Sequence, residues 1–326
     1  MTNDTTNDRT NSDGLDDTGR ELRDALTRLP RTLPPRWLYD DRGSELFSAI
    51  TGVPEYYQTE AERSILADHS AMIAELTEAR TVIELGSGTS DKTRTLLDAF
   101  VAHGVIARFV PLDVSAATLH EAAEMLIERH PEIQVEPVVG DFTRHLQRLS
   151  DVPSPGERLV LFLGGTIGNF YVEERRAFLG ALADVLAPGD WVLIGLDQVK
   201  PIDRLIAAYD DDQGLTEMFI RNALEHVNRE YDGDLDVGNF AYVPFWDGRQ
   251  HRIDMRLRAS EPMSARLEGL DLDLELAAGE EIRVEISSKF SPSQIVEELA
   301  HVGFGADAQV FTDAADEFAV VLARRI

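Results

Sequence analysis

The chain has 326 residues, 31 basic against 59 acidic for a net charge of −28, and no cysteine. That length buries one or two substantial cores, while the absence of cysteine excludes disulfides, thiolate metal sites and cysteine nucleophiles. The acid excess opposes nucleic acid and anionic membrane surfaces as partners and suits a small or cationic one; no apolar run approaches a membrane span and no leader-like pattern opens the chain, so a cytoplasmic protein is expected.

Only Lys92, Lys200 and Lys289 are lysines, and the other 28 basic residues are arginine. With the acid excess this suggests a salt-adapted or GC-rich source, an expectation that unchanged stability and activity between low and molar salt would contradict.

Residues 1–18 are polar and low in complexity and read as a disordered tail. Residues 20–29 are helical in pattern. An aromatic- and proline-rich segment follows, ending in a helix that leads directly into a strand at Thr81. From there the periodicity alternates. Strands are expected at 81–85, 107–113, 133–141, 158–165 and 191–197, with helices at 92–104, 115–130 and 172–186. Near-continuous apolar strands separated by amphipathic helices predict a parallel, doubly wound α/β sheet covered on both faces.

After Asp197 the rhythm breaks. Residues 202–229 read as helical, and 241–259 and 263–290 alternate like antiparallel strands, with turns at Asp247-Gly248 and Ala278-Gly279. A helix at 291–304 and strands at 308–313 and 317–326 then complete the sheet. The expected organisation is one discontinuous domain, 61–197 with 287–326, and a second, 19–60 with 198–286. The second should stand over the strand C-terminal ends, where open α/β sheets bind ligands.

The stretch TVIELGSGTSD, 81–91, is a buried strand followed by Gly86 and Gly88. A dinucleotide loop would place a third glycine at 91. That position is Asp91, and Glu84 precedes the loop, so a phosphate would meet carboxylates. S-adenosylmethionine (SAM) carries no phosphate and has a cationic sulfonium, which favours it; the competing reading is a tight structural turn.

Asp113 ends the second strand, where a carboxylate can accept from ribose hydroxyls; a helix cap is the alternative, although Ser115 is available for capping. Asp141-Phe142 ends the third, where the carboxylate can meet an adenine amine and the ring can pack on the base, unless Asp141 only forms a turn. In the loop GGTIGNF, 164–170, Asn169 offers an amide oxygen to a substrate amine, or else caps the next helix.

Further motifs make the chain resemble a family. They are LPPRWLYD, GSELFSAITGVPEYY, ELGSGTSDKTRTLLDA, PLDVS, GDF, FLGGTIGNF, RLIAAYDD, IRNALEHVNRE, IDMRLRA and EEIRVEISSKF, running from about Leu29 to the C-terminus. In these it is similar to the SAM-dependent histidine Nα-methyltransferases of the ergothioneine pathway. It departs at Gly165, where a hydroxyl residue is common, and in its acidic N-terminal tail.

The resemblance implies a class I methyltransferase (Rossmann-like) fold with an antiparallel C-terminal strand pair and a second, α+β substrate domain. It implies three methyl transfers from SAM to the α-amine of L-histidine, giving hercynine and S-adenosylhomocysteine, without a metal. In the SAM reading Gly86 and Gly88 give the cofactor backbone access, and by this resemblance Gly86, Lys92, Asp113, Asp141 and Phe142 contact SAM. Tyr56 and Tyr209 hold the substrate carboxylate and Asn169 the amine, with Tyr39 and Phe47 lining the space around it. Glu285 and Ser287 bind the imidazole, and Met255 packs nearby.

Glu285 and Ser287 are two apart on a predicted strand, so both point to one face and can meet the two imidazole nitrogens. Taken alone they also fit a polar strand edge, Tyr56 and Tyr209 fit half-buried core aromatics, and Met255 fits core filler. An acceptor such as tryptophan is the alternative substrate, and a non-catalytic SAM-binding module is the alternative class. A monomer is expected.

Overall fold

Successive residues of a strand point to opposite faces, and the central strands use both. Val82, Leu159, Leu161 and Leu193 join one apolar cluster with Ile65, Leu66, Leu96, Leu97, Phe100 and Leu126 from helices Gln58–Thr77, Asp91–His103 and Ala116–Arg129. Ile83, Leu85, Val160, Phe162, Val192 and Ile194 join the other, with Phe178, Leu179, Leu182, Ile295 and Leu299 from helices Val172–Val185 and Pro292–His301. Unbroken apolar runs such as RLVLF are therefore buried on both sides.

This is a computed structural model; it describes residues 15–326 and divides into two compact units. The parallel-sheet unit comprises Thr51–Ala208, Trp246–Ile253 and Ser287–Ile326. Its strands lie in the order Gln309–Thr312, Phe318–Arg324, Trp191–Asp197, Arg158–Phe162, Thr81–Leu85, Arg108–Asp113, with Gln134–Val135 and Val138–Val139 on the outer edge. Phe318–Arg324 is antiparallel to both its neighbours and the remaining pairings are parallel. That order, with its reversed strand near one edge, is the class I methyltransferase sheet. It reverses direction between Thr81–Leu85 and Arg158–Phe162, so the loops after these two strands flank the topological switch point.

The other unit comprises the chain up to Ile50, Tyr209–Phe245 and Asp254–Ile286. Its sheet runs Arg31–Thr32, Glu281–Ser288, Arg252–Ala259, Phe240–Asp247, and a separate antiparallel hairpin pairs Met263–Leu267 with Leu272–Leu276. The expected turns are present: the Gln250 N–H donates to the Asp247 carbonyl, and Gly279 takes φ +83°. Arg31–Thr32 pairs in parallel with Glu281–Ser288.

Three expectations need correction. Of the tail read over 1–18, residues 1–14 lie outside the described residues; by Asp17 the chain is helical (Asp17–Thr27), because the Asp16 carboxylate accepts from the Gly19 N–H at 2.7 Å and caps it. The single strand at 133–141 is two short ones, with Pro137 between them lacking an N–H for the ladder. The helix at 202–229 is two, Ile202–Ala207 and Leu215–Glu230. Asp211 restarts the second by accepting from Leu215 and Thr216 N–H at 2.9 and 2.8 Å, with Gly214 at φ +68°.

Candidate active site

The glycine loop is held from below by its neighbour strand. The N–H groups of Gly86 and Ser87 donate to the Leu112 carbonyl, and the Gly88 N–H donates to Asp113 Oδ2 at 2.8 Å. Asp113 Oδ1 accepts from the Ser115 N–H at 2.9 Å, so one carboxylate ties the loop to the next helix while each oxygen keeps lone-pair capacity. Ser115 is the cap residue but makes no side-chain capping bond, and Asp113 reaches only the Ser115 N–H and none in the first turn.

Gly86 and Gly88 both lie at positive φ, +70° and +49°, where a side chain is strained. A Cβ on Gly86 would meet the Phe142 ring at 3.5 Å, whereas one on Gly88 would meet nothing within 4 Å. The loop thus has open space before it and an aromatic ring beside it. Ser87 Oγ, buried in the same loop, has no hydrogen-bond partner among the described residues. An open backbone cradle, a free acceptor face on Asp113 and a ring at Phe142 fit a nucleoside-bearing cofactor such as SAM.

Phe142 also packs edge-on to Phe162, with ring centres 5.3 Å apart. Asp141 caps its own short helix, accepting from Thr143 N–H and Oγ1 at 2.8 and 2.6 Å through one oxygen. The turn reading therefore holds for that oxygen.

Glu84 is turned inward. It accepts from Thr93 Oγ1 and, at 3.2 Å, from Ser90 Oγ, which fastens Ser90 in its left-handed conformation at the helix start. Burial pushes its carboxyl up to about 7, against the hydrogen bonds from Thr93 and Ser90 and the charge of Lys92. Between about pH 4.5 and 7 the folded protein then holds a proton that the unfolded chain has released, so stability falls as pH rises through that window, by on the order of 3 kcal/mol. Glu84→Gln is expected to flatten this part of the thermal-midpoint profile; parallel profiles for the variant and the parent would contradict it.

Lys92 pairs with Glu62, a fully buried carboxylate on helix Gln58–Thr77. The same carboxylate accepts from the Gly164 N–H at 2.8 and 2.9 Å. Gly195 makes room for it, since a Cβ there would lie 2.1 Å from Glu62 Oε1. Glu62 so joins the helix after the glycine loop to the loop carrying Asn169, on the two sides of the switch point. Asn169 closes a 3-10 turn, Thr166–Asn169, and helix Val172–Val185 is capped instead at Tyr171, whose N–H donates to Glu174 at 3.0 Å. Gly168 packs on the chain at Ser287 and Ser288, where a Cβ would lie 2.8 Å from the Ser288 carbonyl oxygen.

Tyr56 is half-buried in the turn before helix Gln58–Thr77, its N–H donating to the Val53 carbonyl. Ser287 is buried and accepts from Lys289 Nζ at 2.7 Å. Lys289 Nζ also lies 2.7 Å from Asp197 Oδ2. Asp197 ends strand Trp191–Asp197, takes the Tyr57 hydroxyl at 2.9 and 3.0 Å, and is paired by Lys200. Burial raises the Asp197 carboxyl, but Lys289 and Lys200 outweigh it and hold it below the usual range.

The second unit assembles its own set. Tyr39, Phe47 and Phe219 form a triangle of rings 5.5 to 5.8 Å apart. Asp40 fixes its entry, accepting from the Gly43 N–H and the Asn222 amide at 2.7 Å each. Tyr209 is buried and its carbonyl accepts from the Tyr242 hydroxyl at 2.7 Å. Burial raises the Tyr242 phenol well above its ordinary value, with Asp210 and Glu285 among the charges that add to this, so it remains a donor. Met255 and Glu285 are buried on strands Arg252–Ala259 and Glu281–Ser288.

Sequence reasoning missed Glu62, Asp197, Lys200, Lys289, Phe219 and Tyr242. One signal was available: all three lysines of an arginine-rich chain occupy ion pairs in the parallel-sheet unit, at Glu62 and Asp197. Among the described residues no group of three or more His, Asp or Glu side chains is placed to hold a metal ion.

A family model described as SAM-dependent, histidine-specific methyltransferase matches residues 18–325. The chain is 46% identical over 306 residues to a histidine N-alpha-methyltransferase of Mycolicibacterium smegmatis, covering 94% of each chain. It is 44% identical to that of Mycobacterium tuberculosis with the same coverage. It is also 36% identical over 224 residues to ergothioneine biosynthesis protein 1 of Schizosaccharomyces pombe, which spans 66% of this chain and 29% of that protein.

Proposed function

The chain belongs to the family of SAM-dependent, histidine-specific methyltransferases, and on that premise we propose that it methylates the α-amine of L-histidine three times, giving hercynine for ergothioneine biosynthesis. The observation that carries this reading is the similarity to two histidine N-alpha-methyltransferases across 94% of the chain.

SAM supplies an electrophilic methyl group on a sulfonium. Gly86 and Gly88 give it backbone access, Asp113 accepts from its ribose, Asp141 and Phe142 take its adenine, and Lys92 stands at the base of the loop. Residues 61–197 and 287–326 are assigned to SAM, with Asn169 and Ser287 also reaching the substrate, and 19–60 with 198–286 to the rest of substrate selection.

The α-ammonium gives up a proton to solvent before each transfer, and Asn169 Oδ1 orients the resulting amine so that its lone pair lines up with the methyl–sulfur bond. The nitrogen–carbon bond forms as the sulfur–carbon bond breaks to leave S-adenosylhomocysteine, which makes positioning the main source of rate. The hydroxyls of Tyr56 and Tyr209 take the carboxylate. Glu285 accepts from one imidazole nitrogen and Ser287 meets the other, with Met255 alongside. As methyls accumulate the nitrogen loses its hydrogens and becomes a permanent cation, which Tyr39 and Phe47 can face with their rings; this favours completion to three methyls.

Exhaustive reaction of L-histidine with excess SAM, followed by mass analysis, tests the extent of transfer. The trimethyl product should accumulate with mono- and dimethyl forms transient. A reaction that stops at one methyl would contradict the proposal.

A further inference from the structure

The loop that carries Asn169 begins with two consecutive glycines at positive φ, Gly164 at +76° and Gly165 at +69°. Glycine moves freely between backbone regions, so the direction in which the loop leaves strand Arg158–Phe162 is set by what holds its polar groups. The Gly164 N–H is held by both oxygens of Glu62, at 2.8 and 2.9 Å. At the far end the Gly168 N–H donates to the Gly165 carbonyl, and Gly168 packs on the backbone of Ser288.

A buried carboxylate is costly unless it is paired and hydrogen-bonded. The Glu62 side chain has no exposed surface, and its Oε2 serves both the Lys92 ammonium and the Gly164 N–H. A glycine inside a strand marks a place where another group comes close. Gly195 is such a residue, since a Cβ there would lie 2.1 Å from Glu62 Oε1. Lys92 closes the other side, its Nζ lying 3.5 Å from where a Cβ on Gly164 would stand. A strand glycine, a buried glutamate and one of only three lysines thus converge on a single backbone N–H.

We propose that Glu62 is a positioning residue of the methyl transfer: through the Gly164 N–H it fixes the exit of the glycine pair and with it the placement of the Asn169 amide. This inference rests on the reading of Asn169 as the group that orients the amine. Glu62 itself touches neither substrate in this account and acts through the loop.

Misplacing reacting groups by about 1 Å can cost about a hundredfold in rate. Without Glu62 the bonds at Thr166 and Gly168 remain, so the loss should be smaller than the loss of Asn169 itself.

The test is steady-state turnover of the full chain with L-histidine and SAM both saturating, with thermal midpoints recorded alongside. Glu62→Leu fills the site without a buried charge, and Lys92, partly exposed, keeps access to water. This variant should lower kcat about tenfold; saturating SAM removes from kcat whatever the freed Lys92 changes in cofactor binding. Glu62→Gln keeps an acceptor oxygen with two lone pairs and should recover most of the rate. Gly195→Ala puts a methyl group where Oε1 lies and should reproduce the loss with Glu62 still in the chain. In an Asn169→Ala background neither Glu62→Leu nor Gly195→Ala should lower kcat further.

A Glu62→Leu enzyme with the parent's kcat overturns the proposal. So does a Glu62→Gln enzyme that falls as far as Glu62→Leu, or an equal further loss in the Asn169→Ala background. Where Glu62→Leu is unfolded at the assay temperature, Gly195→Ala decides, and a parental kcat there overturns the proposal. If Asn169→Ala itself keeps the parent's kcat, the reading of Asn169 fails and the proposal falls with it. That outcome is separate from one in which Asn169→Ala is slow and Glu62→Leu is not, where the role of Glu62 alone is refuted.

Discussion

Asn169→Ala is expected to lower kcat about a hundredfold, the scale on which misplaced reacting groups lose rate, with SAM affinity unchanged. The structure gives Asn169 no helix to cap, since Tyr171 and Glu174 do that. Its turn is fastened independently: Gly168 N–H donates to the Gly165 carbonyl, Thr166 Oγ1 to the Leu163 carbonyl, and Gly164 N–H to the buried Glu62. Under the proposed role, removing the amide takes away the group that orients the amine, while these bonds to the loop remain. Asn169→Asp keeps an acceptor oxygen and should recover part of the rate. Stopped turnover with unchanged thermal midpoints would fit this account; an Asn169→Ala enzyme with the parent's kcat would end it.

Glu285→Ala is expected to raise the KM for histidine by about 10- to 100-fold, the range for a hydrogen bond to a charged group, while the affinity for SAM stays as it is. Glu285 is a buried carboxylate on the strand that also carries Ser287. Equal losses of histidine and SAM binding would mean that Glu285 supports the fold instead of the substrate. Glu285→Gln separates the two further, because the amide keeps shape and one acceptor but not the charge.

The parallel-sheet unit was legible because its information is local. TVIEL and WVLIGLD are apolar runs that each formed a strand where expected, and of the strand expected at 158–165 the apolar part, RLVLF, formed one that ends before Gly164 and Gly165 at positive φ. The failures were also local in origin. Pro137 divided one strand, and Asp211 with Gly214 divided a helix whose apolar pattern ran across the break.

Gly86, Gly88 and Asp113 were readable as a set because they close adjacent strands, and the structure joins Gly88 to Asp113 directly. What supports the site was not readable. Asp197 meets Lys289, Glu62 meets Gly164 and Lys92, and Tyr242 meets Tyr209 across 92, 102, 30 and 33 residues of chain. Such pairings exist only once the sheet has placed the strand ends side by side. Lysine scarcity marks Lys92, Lys200 and Lys289 as unusual positions, yet it names none of their partners.

We expect this chain to methylate the α-amine of histidine and of no other standard amino acid. Purified protein incubated with SAM and each of the twenty amino acids in turn, with mass gain followed over time, tests it most directly. The account predicts addition of three methyl groups confined to L-histidine; methylation of tryptophan in its place, or of no amino acid at all, would contradict it.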